Sequence, residues 1–224
     1  MEIPFSTEEF LGIFKKYNTA IWPGQVFLYL LTLTAIILIF RKTHFSSWVI
    51  TIILSFLWLW MGVIYHLMYF TEINNAAYLF ASVFIFQAIL LLYFGVLRKK
   101  ISFQYPTGFY GFAGGFFIFF ALLLYPIISY KMGHVYPSTP TFGVPCPTTI
   151  FTLGILMWTD KKTPLIIYLI PLGWVMIGFL AVFSLGMSED FGLLIAGIFT
   201  ISKIVVSQIN KNKKILSPRY YEKS

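Results

Sequence analysis

Long apolar stretches separated by short polar connections constrain this chain more than any other feature. Charged residues make up 11% of the 224 residues and apolar residues 58%, whereas about a quarter of a soluble domain is charged. A water-facing surface of ordinary charge density cannot be built from this sequence, so a soluble domain is excluded. The aromatic content of 20% is typical of a lipid-facing surface with rings at both interfaces. The single cysteine, Cys146, excludes an intramolecular disulfide and a CxxC redox or zinc framework.

Seven apolar stretches are candidate membrane-spanning helices, since a bilayer core requires roughly 20 mostly apolar residues per helix. They are residues 22–40, 47–70, 76–97, 108–130, 143–158, 165–186 and 191–209. We therefore predict an all-α integral membrane protein with one seven-helix transmembrane domain over residues 22–209. Residues 1–21 are predicted to form an outer interfacial segment, and residues 210–224 a basic cytoplasmic tail that could rest on anionic lipid.

The distribution of basic residues predicts the orientation. With seven spans, every Lys and Arg except Lys15, Lys16 and Lys131 lies on the side of the carboxyl-terminal tail. Without the fifth span, the tail would lie on the cation-poor side and the acidic Glu189-Asp190 turn inside, against the positive-inside rule. We therefore predict an outer amino terminus, a cytoplasmic carboxyl terminus and a Pro-interrupted fifth span. The formal net charge of +8 is then explained by the basic residues that set the membrane orientation. Nucleic acid is therefore not expected as a partner.

The first residues carry the signals of a short amphipathic helix. Ser6 and Glu9 have the spacing of a capping box, and Phe5 and Phe10 have that of a hydrophobic staple. Apolar residues then recur at helical spacing up to Ile21. We expect this helix to lie along the outer membrane interface.

Ionisable side chains are scarce in the predicted spans. All eight acidic residues fall in tails or loops, which argues against a proton pump or a cation-coupled carrier built on buried carboxylates. Lys203 is the one cation within a predicted span. No span supplies an acidic counter-ion for a retinal Schiff base, so we expect Lys203 to extend its ammonium group to the cytoplasmic interface.

The most unusual segment is TFGVPCPTTI, residues 141–150. Pro145 and Pro147 hold the backbone extended around Cys146, and Pro147 suits the first turn of a helix that continues from Thr148. The free N–H groups of that helix end would favour the reactive thiolate form of Cys146. In the alternative interpretation the prolines only shape a turn and the thiol fills space.

Other polar groups are predicted at the same outer face. Cys146 with two histidines, His66 and His134, would suit a soft metal ion such as Cu(I), Zn or Hg. The predicted pocket and structural residues around them are Trp58, Tyr65, Glu72, Asn75, Pro145, Pro147 and Thr148. Spacing alone does not show that these residues converge, and each histidine is alternatively an ordinary hydrogen-bonded residue. Asn75 is expected to cap the helix that begins near Ala76.

Glycines at positions 108, 111, 114 and 115 give the fourth span a face of small residues. Such a face lets another helix approach closely. We expect it to serve packing within the protein rather than dimerisation.

Three segments of the chain resemble a family of bacterial multi-pass membrane proteins defined as a domain of unknown function. They are YNTAIWP at residues 17–23, WLWMGVIYHLMYFTEINNAAYLF at residues 58–80 and GVPCPTTIFTLGIL at residues 143–156. The chain has Asn75 where the family pattern has Pro, a change at a helix start that should leave the fold intact. The resemblance implies a protein of the bacterial inner membrane, and it brings no activity, substrate or cofactor.

Two functions are compatible with the sequence. The first is a permease or binding protein for a small solute or soft metal ion, with an outward-facing pocket around the fifth span; it requires His66 and Cys146 to share that pocket. The second is an accessory subunit of a homo- or hetero-oligomer, which would be a sealed bundle without a polar cavity. We expect no enzymatic activity, because the sequence has no Ser-His-acid set, paired buried carboxylates or phosphate-binding motif.

Overall fold

The computed structural model of the protein describes residues 4–160 and 163–216. This part of the chain is all-helical, with no β-strand beyond isolated bridges. Its α-helices are α1 Thr7–Ile21, α2 Gly24–Phe40, α3 Ser46–Trp60, α4 Ala77–Leu91, α5 Phe109–Phe119, α6 Tyr125–Lys131, α7 Pro145–Leu156, α8 Ile166–Leu185 and α9 Phe191–Leu216. Wider π-helical turns extend α3 over Met61–Leu67, extend α4 over Leu92–Leu97 and join α5 to α6 over Phe120–Leu124.

Five helical segments in the described chain are long and apolar enough to cross a membrane. They are Ser46–Glu72, Ala77–Leu97, Phe109–Lys131, Ile166–Leu185 and Ser188–Asn210. A sixth is obtained if α1 and α2, which are bent by 84° at their junction, form one broken span. The sequence predicted seven. The difference comes from α2 and α7, which have 17 and 12 residues and are short for a bilayer core.

Apolar side chains cover the outer faces of the bundle. On α8, for example, Leu169, Met176 and Phe183 are all more than half exposed, and α2 and α9 present similar residues. Monomeric soluble proteins rarely expose apolar surface on this scale. The helices are therefore compatible with a membrane protein.

The amino-terminal helix α1 forms as its sequence signals predict. Ser6 Oγ accepts a hydrogen bond from the backbone N–H of Glu9 at 3.2 Å, and the Glu9 carboxylate accepts one from the Ser6 N–H at 2.8 Å. The rings of Phe5 and Phe10 stack with centroids 5.7 Å apart, which confirms the hydrophobic staple. One face of α1, including Phe14, is buried against the rest of the protein.

Helix α7 lies at the centre of the bundle. All of its residues except Cys146 are buried, and α5, α8 and α9 pack around it. Its contact with α5 is backbone to backbone, since a Cβ added at Gly154 would lie 2.9 Å from the carbonyl oxygen of Gly114. The glycine face of α5 therefore serves packing within the protein, as predicted.

Lys203 of α9 caps the carboxyl end of α7. Its Nζ donates hydrogen bonds to the carbonyl oxygens of Leu156 at 2.8 Å and Thr159 at 3.1 Å, and to Thr159 Oγ1 at 2.9 Å. A cation at this end of a helix satisfies free carbonyls and complements the helix dipole. The end of α7 therefore binds the ammonium group, and its extension to the membrane interface stays a prediction.

Helix α9 continues to Leu216, beyond the predicted end of the last span at residue 209. The predicted tail thus begins as helix. The rest of that tail, residues 217–224, lies outside the described residues, as do Lys161 and Lys162, which the orientation argument places on the cytoplasmic side.

Candidate functional site

A cavity of about 260 Å³ lies between α1, the π-helical turn after α3, the amino end of α7 and the second half of α8. Most of its wall is apolar. The apolar lining residues are Pro4, Phe5, Phe10, Phe14, Phe70, Ala76, Phe80, Pro140, Val144, Pro145, Ile177, Gly178, Leu180, Ala181, Leu185 and Met187. The lining residues with polar groups are Tyr65, His66, Asn74, Tyr125, Cys146, Trp174 and Asp190. Such a cavity, with a few convergent polar groups, is typical of a small-molecule site.

The structure brings together four of the residues that the sequence singled out. Tyr65, His66, Pro145 and Cys146 all line this one cavity. Tyr65 and His66 lie in the π-helical turn and are both buried. π-Helical turns are rare and frequently occur at functional sites.

His66 lies on the cavity wall without a hydrogen bond. Its side chain is 0% exposed, and neither ring nitrogen has a partner among the described residues. Its neighbours are rings: the centroid of Phe84 lies 4.8 Å away and that of Trp174 lies 5.4 Å away. Most buried polar side chains have a hydrogen-bond partner, so two unpartnered ring nitrogens are unusual for a buried histidine.

Cys146 occupies the second position of α7, between Pro145 and Pro147. The prediction that the backbone is extended around Cys146 was wrong, because both prolines fit the first turn of the helix, where backbone N–H groups have no partner within the helix. Because proline has no N–H, Cys146 carries the one backbone donor among the first three residues of this helix. Its side chain lies beside the carboxyl group of Asp190 and the indole of Trp174. In the described part of the chain the indole N–H of Trp174 also has no hydrogen-bond acceptor.

Helix α1 fixes the segment that leads into α7. The hydroxyl group of Tyr17 donates to the carbonyl oxygen of Gly143 at 2.9 Å, and the side-chain amide of Asn18 donates to that of Thr139 at 2.7 Å. Gly143 has a φ of +104°, which favours glycine, and a Cβ there would lie 3.0 Å from the Tyr17 hydroxyl group. The amino end of α7 is thereby held at the cavity.

Two acidic residues at this site were missed by the sequence analysis. Glu189 and Asp190 were placed in an outer turn, yet the turn folds inward and both are buried. Asp190 Oδ1 accepts a hydrogen bond from the Tyr125 hydroxyl group at 2.6 Å. Glu189 Oε1 accepts one from Ser129 Oγ at 2.9 Å and lies 3.0 Å from His134 Nδ1. One sequence signal could have indicated their burial. The two acids directly precede an apolar helix, and the turn that carries them is too short to extend far from the bundle.

Comparison with known proteins assigns the chain to a family. Residues 7–214 match the profile described as a family of unknown function, DUF6064. The chain belongs to the DUF6064 family. No curated protein and no solved structure matches it. The DUF6064 region includes every cavity-lining residue except Pro4 and Phe5.

Two predicted site residues of this DUF6064 chain lie away from the cavity wall. His134 is engaged with Glu189 at 3.0 Å, so it is a hydrogen-bonded residue rather than a partner of Cys146. Glu72 forms an ion pair with Lys16 of α1. The first contact links the loop after α6 to the turn before α9, and the second links the turn before α4 to α1.

Three others are structural. Trp58 is buried, and its indole N–H donates to Thr152 Oγ1 at 3.1 Å. Thr148 is buried and accepts a hydrogen bond from the backbone N–H of Gly143 at 3.1 Å. Pro147 is buried in the first turn of α7. These residues shape the core beside the cavity and do not line it.

The predicted cap at Asn75 was wrong by one residue. Helix α4 has Ala76 at its cap position without a side-chain hydrogen bond to the helix. Asn74 instead accepts a hydrogen bond from the Ala76 N–H at 2.9 Å and lines the cavity. The side chain of Asn75 is exposed.

The structure gives the predicted soft-metal site no support. Within residues 4–160 and 163–216, no group of three or more His, Cys, Asp and Glu side chains is arranged to hold a metal ion. Cys146 and His66 share the cavity, but His134 is bound elsewhere. The site is therefore better described by its apolar wall and its few polar groups.

Proposed function

We propose that this DUF6064 protein is a bacterial inner-membrane protein that binds small, largely apolar molecules with a polar head group. In this proposal the cavity opens to the outer face. The observation that carries the proposal is His66, which lies fully buried on the wall of an apolar cavity with both ring nitrogens unpartnered. A bound head group would offset the cost of leaving that polar ring unsatisfied.

The proposed topology has seven crossings, with the amino terminus outside. The fifth crossing in this topology consists of an irregular segment followed by the short helix α7. The apolar character of α7 and its place at the centre of the bundle support this crossing. Non-helical backbone at membrane depth is tolerated where it is buried in protein or lines a cavity. Residues 143–145, which lead into and begin α7, are all buried. Basic residues then gather on the cytoplasmic side, as the positive-inside rule requires.

The accessory-subunit hypothesis expects a sealed bundle. A cavity of about 260 Å³ with unpartnered polar groups on its wall favours ligand binding instead. We propose binding without catalysis.

Filling the cavity should weaken binding. Ala181 lines the cavity, so Ala181→Phe places a ring inside it. The probes are 3-phenylpropylamine, 3-phenylpropanol and 3-phenylpropanoate, titrated calorimetrically into protein in phosphatidylcholine nanodiscs, with empty nanodiscs subtracted. We expect at least one probe to bind saturably to the wild type and at least tenfold more weakly to Ala181→Phe, because the added ring occupies the same volume.

The matched control is Ala20→Phe, since Ala20 is exposed and does not line the cavity. It should bind as the wild type does. Absence of saturable binding for all three probes, or equal binding by Ala181→Phe, would reject the proposed function.

A further inference from the structure

We infer that the ligand of this cavity is a small organic cation, held by the carboxylate of Asp190 and by the aromatic rings of the wall. The inference rests on the proposed binding function and names the chemical class of its ligand.

The charge of the cavity wall is the first argument. Asp190 is the one acidic residue among the described lining residues, and no Lys or Arg lies among them. Its carboxylate accepts a hydrogen bond from the neutral Tyr125 hydroxyl group at 2.6 Å and lies beside the Cys146 thiol. A buried carboxylate is costly unless a cation pairs with it. A cationic ligand would supply that missing partner.

The neighbouring acid strengthens the same preference. Glu189 is also buried, and its Oε2 has no hydrogen-bond partner in the described part of the chain. Its Oε1 is engaged by Ser129 and His134. Two adjacent buried acids make this end of the cavity unfavourable for an anion, because Coulomb interactions are strong at low dielectric.

The aromatic wall is the second argument. Tyr65, Phe70, Phe80, Tyr125 and Trp174 all line the cavity. The faces of such rings attract cations, with Trp the strongest. The two cation–ring contacts found in the described chain involve Tyr93 and Tyr168, neither of which lines the cavity. The rings of the wall are therefore unoccupied by a protein cation.

The unpartnered imidazole of His66 indicates which type of cation would bind. His66 is 0% exposed and lines the cavity without a hydrogen bond. A ring nitrogen of neutral imidazole accepts a hydrogen bond, so an ammonium N–H would satisfy it and a quaternary ammonium group would not. The volume of about 260 Å³ lies just below the usual range for drug-sized ligands, roughly 300–1,000 Å³. The site thus fits a small protonated amine with an apolar body.

The test compares three probes that share one skeleton and differ in charge near neutral pH. The amine 3-phenylpropylamine is positive, 3-phenylpropanol is neutral and 3-phenylpropanoate is negative. In calorimetry with phosphatidylcholine nanodiscs, we expect the amine to bind the wild type at least tenfold more tightly than the alcohol, and the carboxylate to bind most weakly. Asp190→Asn should weaken amine binding at least tenfold and change alcohol binding less than twofold.

The control for the charge change is Glu8→Gln, because Glu8 is an exposed acid of α1; it should leave all three affinities unchanged. If the wild type binds the alcohol as tightly as the amine, the inference fails while the proposed binding function stands. If no probe binds, the proposed function fails. If Asp190→Asn also fails to bind the alcohol, the variant does not test the role of the charge. The inference is then tested by the ratio of amine affinity to alcohol affinity in the wild type, and a ratio near one overturns it.

Discussion

Replacing Lys203 by methionine is expected to lower the free energy of unfolding by about 2–4 kcal/mol, since hydrogen bonds to charged groups contribute about 1.5–3 kcal/mol and buried acceptors left unsatisfied add a further cost. The ammonium group donates to the carbonyl oxygens of Leu156 and Thr159 and to the Thr159 hydroxyl group. Methionine keeps the apolar stem and removes all three hydrogen bonds. The measurement is the unfolding midpoint in mixed micelles titrated with dodecyl sulfate and followed by circular dichroism.

Lys15→Met provides the matched control, because Lys15 is exposed on α1. Its midpoint should equal that of the wild type. A Lys203→Met midpoint that is also unchanged would show that the cap of α7 contributes no net stability.

Gly154→Ala is also expected to lower the free energy of unfolding substantially. The added Cβ would lie 2.9 Å from the Gly114 carbonyl oxygen and 3.2 Å from the Ile118 backbone nitrogen. Both are main-chain atoms, so α5 and α7 must separate to admit the methyl group. Overpacking of this kind costs about 1–3 kcal/mol, and we expect a value in the upper part of that range by the same unfolding measurement.

The control is Gly173→Ala, which is expected to change the free energy of unfolding in the opposite direction. Gly173 is exposed within α8, and a Cβ there meets nothing within 4 Å. Alanine is the better helix former by about 0.8–1 kcal/mol, so this variant should be slightly more stable than the wild type. Equal effects of the two substitutions would contradict the close approach of α5 and α7.

Much of the helical framework was predictable because its signals are local. Apolar runs located each long helix, and the capping box at Ser6 and Glu9 located the start of α1. The number of candidate spans was less predictable. The hydropathy of a segment shows that it lies in an apolar environment but does not distinguish lipid from protein. All residues of α7 except Cys146 are buried in protein. The role of Lys203 depends on the same packing.

The candidate site was predictable only in part. The Pro-Cys-Pro segment and His66 stood out because such residues are unusual in apolar stretches, and the structure places Cys146 and His66 in one cavity. Asp190 did not stand out, since an acidic residue in a turn is ordinarily solvated. Its burial results from the turn before α9 folding inward, so that Asp190 meets Tyr125 of α6, which no local pattern encodes.

The position of Lys203 also bears on biogenesis in the proposed topology. Helix α7 has 12 residues, a length of about 18 Å at 1.5 Å per residue, and the lysine that closes its end is synthesised 47 residues after Leu156. When the last residue of α7 has been added to the chain, neither Lys203 nor the flanking helices α8 and α9 have been synthesised. The packing that buries α7 is therefore complete only after α9, which carries its cap, has been synthesised.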